Sequence, residues 1–294
     1  MIIDAHHHYW HTAAQEQPWR DPAHEALARD YLPGDLAPQL AEAGVERTVL
    51  VQSVDTPEEN DRLHRFADEA GTVAGVVGYL PLHDADGSRA ELDRAATERW
   101  CGVRCLIGRD PIPWLTEAPS RSLFAALADR GLAWDVVPVT DEQTDSVLEL
   151  ADAVPELRIV VDHLARPPLD GSDRNAWERR IEALAGRPNV AMKVSVGIDV
   201  LSRWERWEPE ALHPYVRHAV ETFGPQRLLL ASNWPVVELA TDYRHAVTDL
   251  RAVLAAHLGP AELSDICGRS AADWYGLRTS DTADAAAAGP ADRP

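Results

Sequence analysis

The sequence predicts an α/β protein built as a single-domain (β/α)8 TIM barrel, and three observations predict it. Short apolar runs alternate with amphipathic segments eight times along 294 residues. The runs are nearly continuous in apolar character, as strands of a parallel sheet covered on both faces are. Polar residues gather where the runs end, which is where a barrel collects its mouth. A doubly wound open sheet competes, but no Gly-rich phosphate fingerprint follows an early strand.

The first strand lies within residues 1–10 and carries His6 and His8. Residues two apart on a strand share a face, so the two imidazoles converge at its carboxyl end. Such a pair suits a divalent metal, a polarised carbonyl or a proton relay. A purification scar would follow a Gly/Ser linker rather than an apolar strand. Residues 11–31 form a polar loop broken by Pro18 and Pro22, and a long loop after a barrel strand marks function. A helix over 33–43 stops at Gly44, a strand covers 48–52, and a helix over 57–70 stops at Gly71. Further strands are expected at 73–79, 103–107, 133–137, 158–162, 190–194 and 228–231. Helices are expected at 88–100, 122–130, 142–153, 175–185, 212–223 and 242–257. Residues 263–275 read as a terminal helical segment packed on the barrel, so the domain runs over 1–278. Residues 279–294, rich in Ala, Asp and Pro and without periodicity, read as a disordered tail.

Composition excludes several classes. A formal net charge of -20 repels nucleic acid and anionic membranes, so neither is an expected partner. No apolar run is long enough to span a bilayer, and the start has no signal-peptide pattern. Cys101, Cys105 and Cys267 are odd in number and lack metal-ligand spacing. These features predict a reduced, cytoplasmic protein acting on a small molecule, with homo-oligomerisation open.

The strand ends, taken in order, assemble a candidate site. They supply His6 and His8, then Gln52 with Ser53 and Asp55, then Arg104, then Asp135. Asp162 and His163, Lys193 and Ser195, and Ser232, Asn233 and Trp234 follow. Taken singly, a histidine after a strand is more often a hydrogen-bonded core residue, and Lys193 can be a structural ion-pair partner. It is the convergence that points to an active site. Trp10, Trp19, Trp114 and Trp234 are expected to crowd the mouth and favour a flat or apolar-faced ligand.

These stretches carry a family resemblance. Residues 3–10, Tyr31-Leu32-Pro33, residues 48–52, Gly102-Val103-Arg104, Asp162-His163-Leu164, Lys193-Val194-Ser195 and Ser232-Asn233-Trp234-Pro235 match in order and position. The chain resembles the lactonase-type branch of the amidohydrolase superfamily, the group of sugar-acid and pyrone-dicarboxylate lactonases. The resemblance implies that His6, His8 and His163 polarise a substrate carbonyl and that Arg104 holds a carboxylate or lactone oxygen. Gln52 would orient the substrate, and Lys193, Trp10 and Trp234 would help bind it. The family's Ser-Asp-Trp-Pro motif carries a general base, and this chain has Asn233 there, an amide that cannot accept that proton. Cys105 stands where the lactonases often carry His, and Val196 replaces the glycine of Lys-x-Ser-Gly.

The implied activity is hydrolysis of a lactone, or a related cyclic amide, of a small carboxylated or sugar-like acid. His163, Asp135 or a metal would activate water. One divalent metal ion, zinc by ligand type, can be held by His6, His8 and His163; no organic cofactor is implied. Two alternatives stay open: a metal-dependent decarboxylase or other lyase of the same superfamily, and a catalytically weak relative that binds a metabolite.

Overall fold

Eight parallel strands form one sheet in chain order in the computed structural model, which describes residues 1–278. The expectation for 279–294 lies outside the described residues. The strands are β1 (Ile3–His7), β2 (Arg47–Val51), β3 (Val73–Tyr79) and β4 (Trp100–Arg104), then β5 (Ala133–Val136), β6 (Ile159–Val161), β7 (Val190–Val194) and β8 (Leu228–Leu230). The segment after β8 returns to β1: Asn233 N–H donates to the His6 carbonyl at 2.9 Å, and His8 N–H to the Trp234 carbonyl at 2.7 Å. That pairing makes the sheet a nearly closed barrel, the predicted (β/α)8 fold.

An outer layer of helices covers it: α1 (Pro33–Ala43), α2 (Pro57–Glu69), α3 (Ala85–Arg94), α4 (Ala118–Asp129), α5 (Asp141–Ala153), α6 (Arg174–Ala185), α7 (Ile198–Leu201), α8 (His213–Phe223) and α9 (Tyr243–Ala255). Side-chain caps start several of them. Thr140 accepts from Gln143 N–H to open α5, and Asp242 accepts from His245 N–H to open α9. Gly44, at φ 68°, ends α1 in the left-handed conformation that glycine adopts without strain. Two short helices, α10 (Pro260–Ser264) and α11 (Ser270–Tyr275), complete the described chain.

One region departs from expectation. The third helix spans Ala85–Arg94 rather than 88–100, and the fourth strand spans Trp100–Arg104 rather than 103–107. Asp84 caps the helix early by accepting from Gly87 N–H. Trp100 belongs to the sheet, because its ring lies over Gly78, where an added Cβ would come within 2.4 Å of the indole.

The lower barrel interior is apolar: Ile3, Ala5, Val49, Val77, Val160 and Leu229 belong to one cluster. Helix α11 adds Ala271 and Tyr275 to it. Two register irregularities aim the site above this floor. Between Asp4 and His7, β1 advances three residues while β2 advances two. Between Trp100 and Gly102, β4 advances two while β3 advances one. Strict alternation from the inward Ile3 and Ala5 would turn His6 and His8 outward. The extra residue reverses the phase and points them into the barrel, and the β4 irregularity does the same for Arg104.

Candidate active site

A cavity of about 110 Å³ opens at the carboxyl ends of the strands. Its polar wall includes His8, Arg104, His163 and Asn233, and Trp19, Leu106, Val137 and Ile198 supply an apolar one. Directly beneath lies a fully buried charge network. Asp162, just past β6, accepts from Arg104 Nη1 at 3.0 Å and pairs with Lys193 Nζ at 3.0 Å. Lys193, on β7, also donates to Asp135 Oδ2 at 2.6 Å, and Tyr275 OH reaches up from α11 to the same carboxylate at 2.8 Å. Two carboxylates thus face two cations at direct hydrogen-bond distance, an arrangement in which each charge depends on the others.

The environment sets the protonation states. Burial, reinforced by Lys193, holds the His6 imidazole well below its usual range; burial and then Arg104 do the same for His8. Burial lowers His163 to about 3, so all three rings are neutral near pH 7. Burial raises Asp135 to about 6 against the pull of Lys193. For Asp162 burial acts upward, but Lys193, His6 and Arg104 together overcome it and hold the carboxyl well below its usual range. The tautomer of His8 follows from its partner. Its Nδ1 lies 2.8 Å from the Val51 carbonyl, which can only accept, so Nδ1 carries the proton and Nε2 a bare lone pair.

Backbone conformation delivers the other two polar walls. His163, Leu164, Ala165 and Arg166 have φ of 54°, 51°, 51° and 53°, a left-handed turn of four residues without glycine. Such a turn costs roughly 1–2 kcal/mol per residue. Beyond its own backbone bonds, two side-chain hydrogen bonds hold it: Trp177 Nε1 donates to the Leu164 carbonyl at 2.8 Å, and His163 Nδ1 meets Ser195 Oγ at 2.8 Å. The turn also carries Arg166 into the cavity wall. Asn233 sits at φ 58°, a conformation asparagine tolerates. Its Nδ2 donates to the Val196 carbonyl at 2.8 Å, which leaves Oδ1 as the acceptor facing the cavity.

The structure brings His6, His8, His163, Arg104 and Asn233 together and places the other named residues elsewhere. Gln52 is fully buried behind Arg104, accepting from its Nη2 through both the backbone carbonyl (2.6 Å) and Oε1 (3.2 Å). Asp135 and Lys193 lie in the layer under His6, sealed from the cavity. Trp10 and Trp234 are buried outside it, each meeting Tyr31 edge to face with ring centroids 5.2 Å apart. Of the four tryptophans expected at the mouth, Trp19 forms part of the wall, braced edge-on by Trp10 at 5.8 Å. Asp162 was named by sequence reasoning but given no role, and Arg166 was missed altogether. The first was visible as a strand end. The second had no signal beyond being three residues after His163.

The residues fit one divalent ion. His6 Nε2 and His8 Nε2 are 3.2 Å apart. Two zinc–nitrogen bonds of about 2.05 Å at the tetrahedral angle span about 3.3 Å. His6, Asp162 and His163 also offer ligand atoms within 4.8 Å of one another, a nitrogen and oxygen set suited to a divalent metal. Arg104 Nη1, 3.4 Å from His6 Nε2, opposes a cation there, so the fit is to a single ion and no more.

Comparison with known proteins identifies the family and the fold. The family model described as amidohydrolase matches residues 3–277. The chain is 32% identical over 281 residues to a protein named L-fucono-1,5-lactonase from Burkholderia ambifaria, covering 93% of this chain and 94% of the relative. Its fold is similar to the crystal structure of an amidohydrolase from Burkholderia multivorans with bound Zn, with a TM-score of 0.85, 27% identity, and coverage of 95% of this chain and 100% of that one. A 2,6-dihydroxybenzoate decarboxylase from Rhizobium shares the fold alone, at a TM-score of 0.65 and 16% identity over 94% of this chain and 98% of the other. No helix among the described residues is long and apolar enough to cross a membrane.

Proposed function

The chain belongs to the amidohydrolase family, and on that premise we propose that it is a hydrolase that opens the lactone of a small sugar acid. One observation carries the reading. In the cavity at the barrel mouth, Arg104 and two neutral imidazoles converge on a space bounded by Asn233. Arg104 is held rigid by Gln52 and Asp162 and lines the cavity. A guanidinium fixed in this way is preorganised to receive the oxygen that becomes negative when water adds to a lactone carbonyl.

The steps follow from the residues' protonation states. Arg104 holds the carbonyl oxygen, and Asn233 Oδ1 accepts a hydrogen bond from one O–H of the attacking water and so orients it without taking the proton. His163, neutral and steadied by Ser195, takes the other proton as the new C–O bond forms. When the tetrahedral centre collapses, the ring C–O bond breaks and His163 returns the proton to the departing alcohol. The products are an open-chain hydroxyl and a carboxylic acid, which accounts for every atom of the lactone and the water. Asp135 is too deeply enclosed to touch water. A divalent ion, zinc in our reading, would be held by His6, His8 and Asp162 or His163, where it would supply Lewis-acid polarisation and a more acidic water. The apolar wall of Trp19, Leu106, Val137 and Ile198 fits a ligand with one unsubstituted face. The likeness to a decarboxylase is one of fold, and no residue of the site favours a lyase over a lactonase.

The test is a panel of 1,5- and 1,4-aldonolactones, led by L-fucono-1,5-lactone and followed by acid release in weak buffer, with and without chelator and added Zn²⁺. Turnover of at least one sugar lactone well above the spontaneous rate is expected. Arg104→Met should lose about 10³-fold in kcat/KM. A folded protein that opens no lactone in either metal state would overturn the reading.

A further inference from the structure

We propose that Lys193 is a positioning residue that sets the tautomer of His6, keeping the proton on Nε2, where it faces His8 of the cavity wall. Hydrogen-bond accounting carries the inference. An ammonium has three N–H groups and no lone pair. Lys193 Nζ has three acceptors within reach: Asp135 Oδ2 at 2.6 Å, Asp162 Oδ1 at 3.0 Å and His6 Nδ1 at 3.1 Å. All three donors are satisfied only if His6 Nδ1 is bare. The proton of His6 then sits on Nε2, 3.2 Å from His8 Nε2. The Val51 carbonyl has already fixed His8 Nε2 as a lone pair. A directed chain results, from Lys193 to His6 to His8 to Val51, with contacts of 3.1, 3.2 and 2.8 Å; the two contacts that oppose it, Arg104 Nη1–H at 3.4 Å from His6 Nε2 and Asp162 Oδ1 at 3.3 Å from His6 Nδ1, are both longer than the bonds His6 makes in the chain.

The other tautomer breaks that chain. With the proton on Nδ1, His6 donates to Asp162 Oδ1 at 3.3 Å, and an N–H of Lys193 is left facing a ring N–H. Two bare nitrogens, His6 Nε2 and His8 Nε2, then oppose each other at 3.2 Å, which is stable only with a cation between them. The two tautomers therefore belong to two states of the site. In the metal-free state, His6 offers Nε2–H as a donor. In the metal-loaded state, the proton has moved within the ring from Nε2 to Nδ1, Asp162 accepts it, and Lys193 keeps only its two carboxylates. The proton stays on His6 throughout. Lys193 consequently favours the donor form and works against metal capture. This inference rests on His6 being part of the reacting centre, but its test needs no turnover, so its failure is separable from failure of the lactonase reading.

The experiment is a two-bond ¹H–¹⁵N correlation spectrum of the chelator-treated protein labelled at histidine, with His6 assigned by the signal lost in His6→Gln. The expected result is His6 protonated at Nε2, switching to Nδ1 on addition of Zn²⁺. Lys193→Met should show the Nδ1 form without metal and bind Zn²⁺ about tenfold more tightly, read by competition with a chelating dye. A merely structural lysine would leave the tautomer where it is. Nδ1 protonation in the chelator-treated native protein overturns the proposal by itself, even if Lys193→Met does not fold. An unchanged tautomer in a folded Lys193→Met also overturns it.

Discussion

On β7, Ala191 and Lys193 both point into the barrel, one pleat apart. Ala191 lies among Ile3, Ala5, Val160 and Leu229, whereas Lys193 lies among Asp135, Asp162 and His6. The lower region is held by removal of apolar surface from water, a force without direction that tolerates exchange of one small apolar residue for another. The upper region is equally dry, but desolvation there is a cost, offset only when every charge finds its partner at hydrogen-bond distance. A barrel can thus place a reactive centre on a floor that is indifferent to chemistry. The reverse dependence is strong: each ion pair above is sensitive to single atoms.

The sharpest way to break the comparison is Asp162→Asn. It removes the carboxylate that Arg104, Lys193 and His6 share. Leaving two buried cations with one acid should cost about 3–5 kcal/mol, read from urea denaturation. Lactone turnover should fall about 10³-fold, because Arg104 loses the partner that aims it. The pH dependence checks the cause. Asp162 has a depressed folded pKa, so its contribution is present above the unfolded value near 3.9 and is lost as pH falls further. The variant should therefore lose less stability on acidification below pH 4 than the native protein does.

Val160→Ala tests the floor. It deletes two methyl groups from the apolar cluster and should cost about 2 kcal/mol, including the cavity left behind. Its kcat/KM at 25 °C should match that of the native protein. A large kinetic defect would show that the two regions are coupled more tightly than their contacts indicate.

The same division explains what the sequence made legible. Alternation of strand and helix specified the barrel because it depends on burial, and burial is written in residue type. His6 and His8 were legible as a pair because they are two apart. The irregularity in β1 that turns them inward was not, since nothing in Ile3-Asp4-Ala5-His6 marks an extra residue. His7 shows how ambiguous the triplet is: it faces the helix layer, bonds Thr48 at 2.9 Å, and is lowered by burial to about 3. The strand ends around Arg104, Asp162 and Lys193 could be named, but not which would touch solvent, because that depends on the depth of each in the barrel. The left-handed turn at 163–166 was invisible, as none of its residues is glycine. Trp10 and Trp234 were read as mouth residues from their type, but large aromatics also brace a wall from behind, and there Trp19 alone reaches the cavity.

The smallest expected effect concerns the residue at the boundary between the two environments. Asn233 is nearly fully buried, and its Nδ2–H donates to the Val196 carbonyl. In Asn233→Asp, an ionised carboxylate would set an oxygen against that carbonyl about 2.8 Å away, two acceptors with no proton between them. Burial and this repulsion both raise the pKa of the introduced acid. The neutral acid can donate to Val196 as the amide does, so the fold should hold and activity at low pH should resemble the native protein's. As pH rises through the raised pKa, the group becomes a base that His163 otherwise has to supply. A well-placed base is worth about 10²-fold or more, but with only a minor fraction ionised near pH 7 the gain there should be about tenfold. The pH profile of kcat/KM, corrected for spontaneous lactone opening, should therefore carry a new rising limb absent from the native protein. A uniform loss at all pH values would mean that the amide's N–H contacts the substrate and that the reaction has been rebuilt around asparagine.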